Sequence, residues 1–296
     1  MVPSSSRAAL PRRLALMLAV ALAAAASALT LTAASANAAV VYDNIPGTLP
    51  GNFASFGNEA YSNAEFGGLV EFPSIGFKKQ AVTVAMSAWA CQEGNISEDT
   101  CKTPEPSKKF KWPITLSIYE VGPENSVGPK LASVTKKFKM PYRPTANDGI
   151  CVPKGFEAGT WYDAAVDKCF HGMAFTISFK ALKIQLRKRE IITVTYNTSD
   201  HGPAPVGALP CRSTKAGCYY DSLNIATTEP FEGTLTVGSD PTKSLYLNST
   251  YAAMYCGSST PVGTFGPTAP IEGTCASGSP YETEAGIQPA FSVAAN

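Results

Sequence analysis

The segment ITLSIYEV, residues 114–121, alternates apolar and polar side chains along most of its length. Ile114, Leu116 and Ile118 share one face of an extended chain, whereas the residues between them are polar. This period of two is typical of a β-strand that packs one face on a core and exposes the other to water. The segment therefore predicts one strand of an antiparallel sheet.

The same alternation recurs in VTVAMSAW (82–89), MAFTISF (173–179) and IITVTYN (191–197). After residue 38 we find no long segment with a helical period, and turn-forming residues are frequent, with 23 prolines in the chain. Short strands between many turns predict an all-β protein, an antiparallel two-sheet β-sandwich of jelly-roll-like form with long disulfide-stapled loops. Further candidate strands are LASVTKKFKM (131–140), LNIAT (223–227), GTLTVG (233–238), SLYLNS (244–249) and IQPAFSVAA (287–295).

The N-terminus has the three parts of a cleaved secretory signal. Three arginines precede an apolar run from Leu14 to Leu31, and small residues end the segment, with Ala36 and Ala38 in an A-x-A arrangement. A membrane anchor is the alternative, since the run approaches spanning length. Its richness in alanine and the good cleavage site favour cleavage. We expect a signal peptide over 1–38, a single domain over 39–296, and an extracellular product that does not associate with a membrane.

The charge balance of the mature chain argues against one class of partner. Without the three arginines of the signal, 21 basic residues face 23 acidic ones. Nucleic-acid-binding proteins usually carry a clear basic excess. We therefore expect no nucleic-acid partner.

All eight cysteines lie after the signal, and an even number in an exported protein predicts disulfides. The gaps between successive cysteines alternate between short polar loops and long strand-bearing segments. We therefore predict pairing between neighbours. With no C-x-x-C motif and only two histidines, the chain has no zinc-site pattern, and we expect no metal and no cofactor. The predicted bridges are Cys91–Cys101, Cys151–Cys169, Cys211–Cys218 and Cys256–Cys275.

A stretch rich in Gly, Pro, Ser and Thr covers residues 257–280. Such a composition predicts a long surface loop stapled by Cys256 and Cys275, or a partly ordered tail. The segment that follows it, IQPAFSVAA, is too short for a membrane anchor.

Several phrases occur together: VYDNIPGTLP (41–50), WPITLSIYEVGP (112–123), GPKLASVT (128–135), YNTSDHGPAP (196–205) and DSLN (221–224). In this combination the chain resembles a group of uncharacterised secreted bacterial proteins of actinobacterial type, related in pattern to choice-of-anchor surface modules. The resemblance implies a jelly-roll-like sandwich outside the cell. It implies no catalytic residues.

The stretch YNTSDHGPAPVG, residues 196–207, raises the question of an active site, because it joins Asp200 to His201. Adjacent side chains of an extended chain diverge, whereas a catalytic triad needs them to converge. Turn-forming residues surround the pair, so we interpret the stretch as a turn between a strand and a loop. We interpret His171, which precedes the MAFTISF strand, as a capping or edge residue.

Acidic residues keep two other kinds of site open. Paired carboxylates for glycoside hydrolysis are conceivable, although no motif supports them. Asp43 and Asn44 could ligate calcium, but a turn is the preferred interpretation. The candidate carboxylates are Glu120, Asp163, Asp167, Glu190 and Asp221.

Aromatic residues give a better functional indication. Trp89 and Trp112 flank the loop closed by Cys91 and Cys101, and flat rings there could stack on the apolar faces of sugars. The ordinary alternative is packing in the core, and Trp112 shares its parity with Ile114. Pro113 could interrupt the strand and free the Trp112 ring. The candidate ligand-binding residues are Trp89, Trp112, Tyr142 and Trp161.

Lysines cluster in KKFK at 108–111, KKFK at 136–139 and RKR at 187–189. Such clusters usually protect exposed strands from pairing with other sheets, but together they could hold an anionic polymer.

Three functions remain, in order of preference. The first is a secreted non-enzymatic sandwich that binds extracellular glycan or the cell envelope. The second is a structural or adhesive protein with protein partners. The third is an extracellular glycoside hydrolase whose carboxylates carry no recognised motif.

Overall fold

The computed structural model describes residues 38–57, 63–76, 78–94, 99–196, 200–201, 204–205, 223–228, 235–242, 245–250, 255, 258–268 and 288–296. They belong to one compact unit, Ala38–Asn296. In this part of the chain, no helix is both long enough and apolar enough to span a membrane.

Antiparallel strands make up most of the described chain, and helix is confined to α1 (Asp148–Cys151) and a 3₁₀ turn at Pro123–Asn125. The strands are β1 (Ala39–Asp43), β2 (Ser55–Phe56), β3 (Asn63–Glu71), β4 (Lys78–Ala88), β5 (Lys109–Val121), β6 (Val127–Pro141), β7 (Trp161–Asp163), β8 (Lys168–Phe170), β9 (Met173–Gln185), β10 (Arg189–Thr195), β11 (Asp200–His201), β12 (Ala204–Pro205), β13 (Leu223–Thr228), β14 (Leu245–Ser249), β15 (Gly266–Pro267), β16 (Gln288–Pro289) and β17 (Phe291–Ala295).

The first large sheet, called here the β4 sheet, is organised around its longest central strand. Strand β9 pairs with β4 along its length, from Lys78 opposite Gln185 to Ala88 opposite Met173. The other edge of β4 is shared, because β17 pairs with its first half and β13 with its last three residues. Strand β1 extends the sheet beyond β17, while β2 and β16 pair with β13.

The second large sheet, called here the β5 sheet, has the strand order β15-β14-β3-β10-β5-β6. Strands β5 and β6 form a long hairpin, and β6 lies at the edge of the sheet. This edge approaches β9 of the β4 sheet, since Phe138 packs edge-on against Phe179 with ring centres 4.9 Å apart.

The core lies between the two sheets, where their inward faces meet. Val82, Val84 and Met86 of β4 are fully buried with Ile114, Leu116 and Ile118 of β5 in one apolar cluster. The period of two read from the sequence thus selects the inward residues on both strands. The structure confirms the predicted all-β, antiparallel sandwich.

Each sheet also buries part of its outer face, which departs from the expectation of one wet face. On β4, Ala85 packs with Phe53, Ala226 and Ala290. On the β5 sheet, Leu69, Tyr119, Ile191 and Tyr246 form a second cluster. Loop residues such as Phe53 cover these outer faces. The sequence pattern did not predict this, because alternation along a strand does not indicate which loop packs on it.

The main differences from the sequence pattern are a central strand that it missed and a candidate strand that its described residues do not form. Strand β3 was not indicated by the pattern, although it lies in the middle of the β5 sheet. Of the candidate strand at 233–238, the described residues from 235 onward make only an isolated bridge between Asp43 and Val237. Of the stretch at 257–280, residues 258–268 include the short β15 beside β14, and the rest lies outside the described residues.

Candidate functional site

Two of the predicted disulfides are present and staple one end of the molecule. Cys91 is bonded to Cys101 with Cα atoms 5.5 Å apart, and Cys151 to Cys169 with Cα atoms 5.9 Å apart. Both are local pairs between neighbouring cysteines, as predicted, and they indicate an oxidising environment. Cys211, Cys218, Cys256 and Cys275 lie outside the described residues.

A buried arginine ties the two stapled segments together. The Arg143 side chain donates from Nη2 to the carbonyl of Gly159 at 2.7 Å and from Nε to that of Pro144 at 3.1 Å. Its backbone N–H donates to the Ala90 carbonyl, and its own carbonyl accepts from Thr103 Oγ1. Burial lowers the pKa of Arg143 to about 10, so the guanidinium stays charged at neutral pH.

Beside this arginine, the pairing of β4 with β9 brings two distant segments together. Ala88 is opposite Met173, so Trp89 and Gly172 are neighbours although 83 positions separate them. A Cβ atom on Gly172 would lie 2.6 Å from Trp89 Nε1 and would also collide with Ser87 Oγ. Glycine is therefore required there for close approach of the indole.

The Trp89 ring is held by hydrogen bonds as well as by packing. Its Nε1 donates to Ser87 Oγ at 2.8 Å, and that hydroxyl donates to Asn52 Oδ1 at 2.6 Å. The ring lies nearly parallel to His171, at 8° and with centres 5.9 Å apart. Both rings are partly exposed, so the stack presents aromatic surface to solvent.

A carboxylate stands next to this stack. His171 Nε2 lies 2.9 Å from Glu157 Oε2, and the Glu157 side chain is 85% exposed. An exposed carboxylate beside an aromatic surface can accept hydrogen bonds from ligand hydroxyls, and charge strengthens such bonds.

Trp161 lies under the same segment but is buried. Its Nε1 donates to the Gly172 carbonyl at 2.7 Å, and its ring packs against Phe170 at 5.6 Å. We call Trp89, Trp161, Phe170, His171 and Gly172 the indole cluster. Within it, Trp161 supports the segment that carries His171, and Trp89 provides the partly exposed ring.

The other two predicted aromatic residues pack elsewhere. Trp112 points to the core side with Ile114, because Pro113 stays in register opposite Lys137 and the alternation continues through it. The expected release of the Trp112 ring by Pro113 is therefore wrong. Tyr142 is 93% buried and packs at 5.0 Å on Phe110, and this burial raises its pKa. Trp89 thus directly follows β4 of one sheet, whereas Trp112 lies in β5 of the other.

Two of the candidate carboxylates do meet. Glu120 and Glu190 are directly opposite each other on β5 and β10. Glu190 is fully buried and accepts from the Arg187 backbone N–H at 2.8 Å, while the Arg187 Nη1 lies 2.6 Å from Glu120. Arg187 contacts both acids, and the buried one is closed to a substrate.

The remaining acids stabilise local turns. Asp163 accepts from the Ala165 N–H at 2.9 Å, and Asp167 accepts from Lys154 and Tyr162 at 2.7 Å each. Asp221 lies outside the described residues.

The pair considered for calcium also has structural partners. Asp43 Oδ1 accepts from the Ile45 N–H at 3.1 Å, as in a turn. The Asn44 side chain is buried and bonds to the backbone of Pro289 and Phe291. In the described part of the chain, no three His, Cys, Asp or Glu side chains are grouped as a metal site would need.

In the stretch around His201, the short strands β11 and β12 pair in antiparallel fashion. Asp200 pairs with Pro205 and His201 with Ala204. The side chains of Asp200 and His201 lie outside the described part of the structure.

Comparison with family models, with characterised proteins and with solved structures gave no match. The resemblance to secreted choice-of-anchor modules stays a prediction. Function must therefore be argued from the geometry of the site.

Sequence reasoning missed five residues of this site, and it interpreted His171 only as a capping or edge residue. The missed residues are Asn52, Ser87, Glu157, Phe170 and Gly172. Their position depends on the β4–β9 register, which no local pattern gives. One indication was present in the sequence, the closeness of His171 to Cys169, because a disulfide restrains the residues next to it.

Proposed function

We propose that this protein is a secreted, non-enzymatic β-sandwich that binds an extracellular glycan or cell-envelope polysaccharide through the indole cluster. The observation that carries the proposal is the partly exposed Trp89–His171 stack, fixed by Gly172 and bordered by Glu157. An aromatic face can cover the apolar C–H face of a sugar, and the carboxylate can bind its hydroxyls.

Preorganisation supports a binding role for the ring. The hydrogen bonds from Trp89 to Ser87 and from Ser87 to Asn52 fix the indole before any ligand arrives. Restricting the site in advance lowers the entropic cost of binding. The Cys151–Cys169 bridge adds to this, because it restrains the segment that carries His171.

The location of the protein is part of the same proposal. The two disulfides are typical of exported proteins, and the A-x-A motif before Ala39 provides a cleavage site. A glycan ligand outside the cell is consistent with both.

The test is retention on insoluble polysaccharides and cell-wall preparations, with Trp89→Ala and Glu157→Gln compared with the wild type. We expect Trp89→Ala to weaken binding about fivefold, which corresponds to ~1 kcal/mol of stacking. Glu157→Gln should weaken it too. Because Glu157 is highly exposed, this variant should fold normally and report on binding alone.

Glu105→Gln provides the matched control, since Glu105 is an exposed glutamate whose partner is Lys108, outside the indole cluster. Its retention should equal that of the wild type. Equal retention of Trp89→Ala, Glu157→Gln and wild type on every bound polysaccharide, with unchanged melting temperatures, would reject the site.

A further inference from the structure

A second charged surface lies on the β5–β6 hairpin, away from the core. Lys109 and Lys111 of β5 and Lys137 and Lys139 of β6 all point outward and are exposed. Ile114 and Met140 mark the opposite, inward parity of the two strands. We call these four residues the lysine strip.

The arrangement of the lysine strip is unfavourable on its own. Lys111 is directly opposite Lys139, and like charges at such positions destabilise a sheet. Among the described residues, none of the four lysines has an ion pair or a hydrogen bond from its side chain. Their sequence neighbours differ, since Lys108 bonds to Glu105 and Lys136 to the Lys180 carbonyl.

Protection of a sheet edge accounts for the exposure of the strip lysines but not for the pairing of their charges. Strand β6 is an edge strand, and lysines there deter pairing with another sheet. Strand β10 pairs with β5 only from Thr115 to Glu120, so no described strand covers the other side of β5 at Lys109 and Lys111. A single charge on each strand would deter pairing there, whereas Lys111 and Lys139 place two like charges directly opposite each other. This pairing of like charges calls for another reason.

The surface next to the strip carries hydroxyl groups. Thr115 lies opposite Thr135, with their Oγ1 atoms 2.7 Å apart, and Ser117 lies opposite Ser133. Thr135 and Ser133 are exposed. These hydroxyls can both donate to and accept from the hydroxyls of a sugar, whereas a polyanion without hydroxyls can only accept from them.

The spacing suits a linear polymer. Neighbouring strands lie about 4.8 Å apart, and alternate residues along a strand are about 6.6 Å apart. The four lysine side chains therefore leave the backbone at regularly spaced positions on two adjacent strands. We propose that the lysine strip and the adjoining hydroxyls bind a linear acidic polysaccharide bearing carboxylates, a polyuronate. Its carboxylates lie over the lysines and its hydroxyls against Thr135 and Ser133.

The probe is polygalacturonate, with neutral dextran and inorganic polyphosphate as comparison polymers, measured at two salt concentrations. Changing the four strip lysines to Gln should weaken polygalacturonate binding at least about tenfold, since focused surface charge raises local ligand concentration by this order. Added salt should weaken the wild type more than the variant. Dextran should not bind to this surface.

The matched control changes the same number of exposed lysines elsewhere, so that the net charge is equal. Its polygalacturonate affinity should stay within about twofold of wild type, because distant exposed charges are screened. Equal loss in both quadruple variants would show an effect of net charge alone and overturn the proposal. The control variant is K78Q, K102Q, K168Q and K183Q.

A second variant tests the hydroxyls. Thr135→Val should lower the affinity for polygalacturonate more than that for polyphosphate, because only the sugar polymer can also donate to this hydroxyl. An equal loss for both polymers, or no loss for polygalacturonate, would overturn the assignment of a sugar polymer. Trp89→Ala should leave polygalacturonate binding to this surface intact, which separates this site from the indole cluster.

Discussion

The core between the sheets and the stapled end around Arg143 are stabilised in different ways. The core is lined by apolar side chains from both sheets, and the Phe66 ring of β3 stacks on the Phe56 ring of β2 with centres 4.8 Å apart. The stapled end has two disulfides and a buried guanidinium bonded to backbone carbonyls. One region depends on the area of contact, and the other on individual directed bonds.

This difference has a functional consequence. Apolar packing tolerates exchange of one hydrophobic side chain for another of similar volume. Hydrogen bonds and disulfides instead fix positions, and the partly exposed indole lies in the region they fix. A binding surface needs that kind of fixed geometry more than the sandwich does.

The largest effect is expected from breaking the apolar region. Phe66→Ala removes a fully buried ring that joins the two sheets, and such changes cost about 3–5 kcal/mol. The free energy of unfolding, measured by denaturant titration, should fall by that amount. Val166→Ala, at a position 51% exposed, should change it by less than about 0.5 kcal/mol. A small loss for Phe66→Ala would show that the core closes over the cavity.

A smaller but more specific effect is expected from the stapled end. Arg143→Met keeps much of the volume and leaves the carbonyls of Gly159 and Pro144 without their donors. We expect a loss of about 2–3 kcal/mol, since buried acceptors without partners are costly. Arg143→Lys should recover only part of it, because an ammonium group does not reproduce the planar donor fork. Full recovery by lysine would indicate that charge, and not directed bonding, is what matters.

The same two regions differ in how far the sequence predicts them. Strands β4, β5, β9 and β10 follow a period of two and were predictable. Strand β3 was not, because Gly67 and Gly68 interrupt its apolar pattern. Gly67 is required where it lies, since a Cβ would meet the Ile192 carbonyl oxygen of the next strand.

At the stapled end, the local disulfides were predictable from the spacing of the cysteines. The burial of Arg143 was not, because its partners are carbonyls, which carry no sequence signal. The stack of Trp89 on His171 was equally hidden, since it needs the register of β4 with β9. The period of two did predict that Trp112 shares a face with Ile114. The prediction that failed was that Pro113 interrupts the strand and frees the Trp112 ring.

The smallest effect is expected from the exposed ion pair of the stapled end. Hydrogen bonds from Lys154 and Tyr162 lower the pKa of Asp167 below its ordinary 3.8, and the bond to Asp167 raises the pKa of Lys154 above 10.5. A lowered carboxyl pKa stabilises the fold above pH 3.8, and this contribution is lost as the pH falls through the folded pKa. A raised lysine pKa stabilises it below pH 10.5, and this contribution is lost as the pH rises further.

The stability difference between wild type and Asp167→Asn should therefore be constant across neutral pH, should fall in acid as Asp167 is protonated, and should fall in strong base as Lys154 loses its proton. Urea titrations of both proteins at about pH 2.5 and about pH 7 measure it, since the other acids titrate equally in each. At neutral pH the loss for Asp167→Asn should be smaller than the losses for Phe66→Ala and Arg143→Met. It should shrink with added salt, as for other exposed ion pairs. A difference as large as that of Arg143→Met, or one unchanged at low pH, would show that exposed pairs also hold the stapled end, and that its geometry does not depend on buried bonds alone.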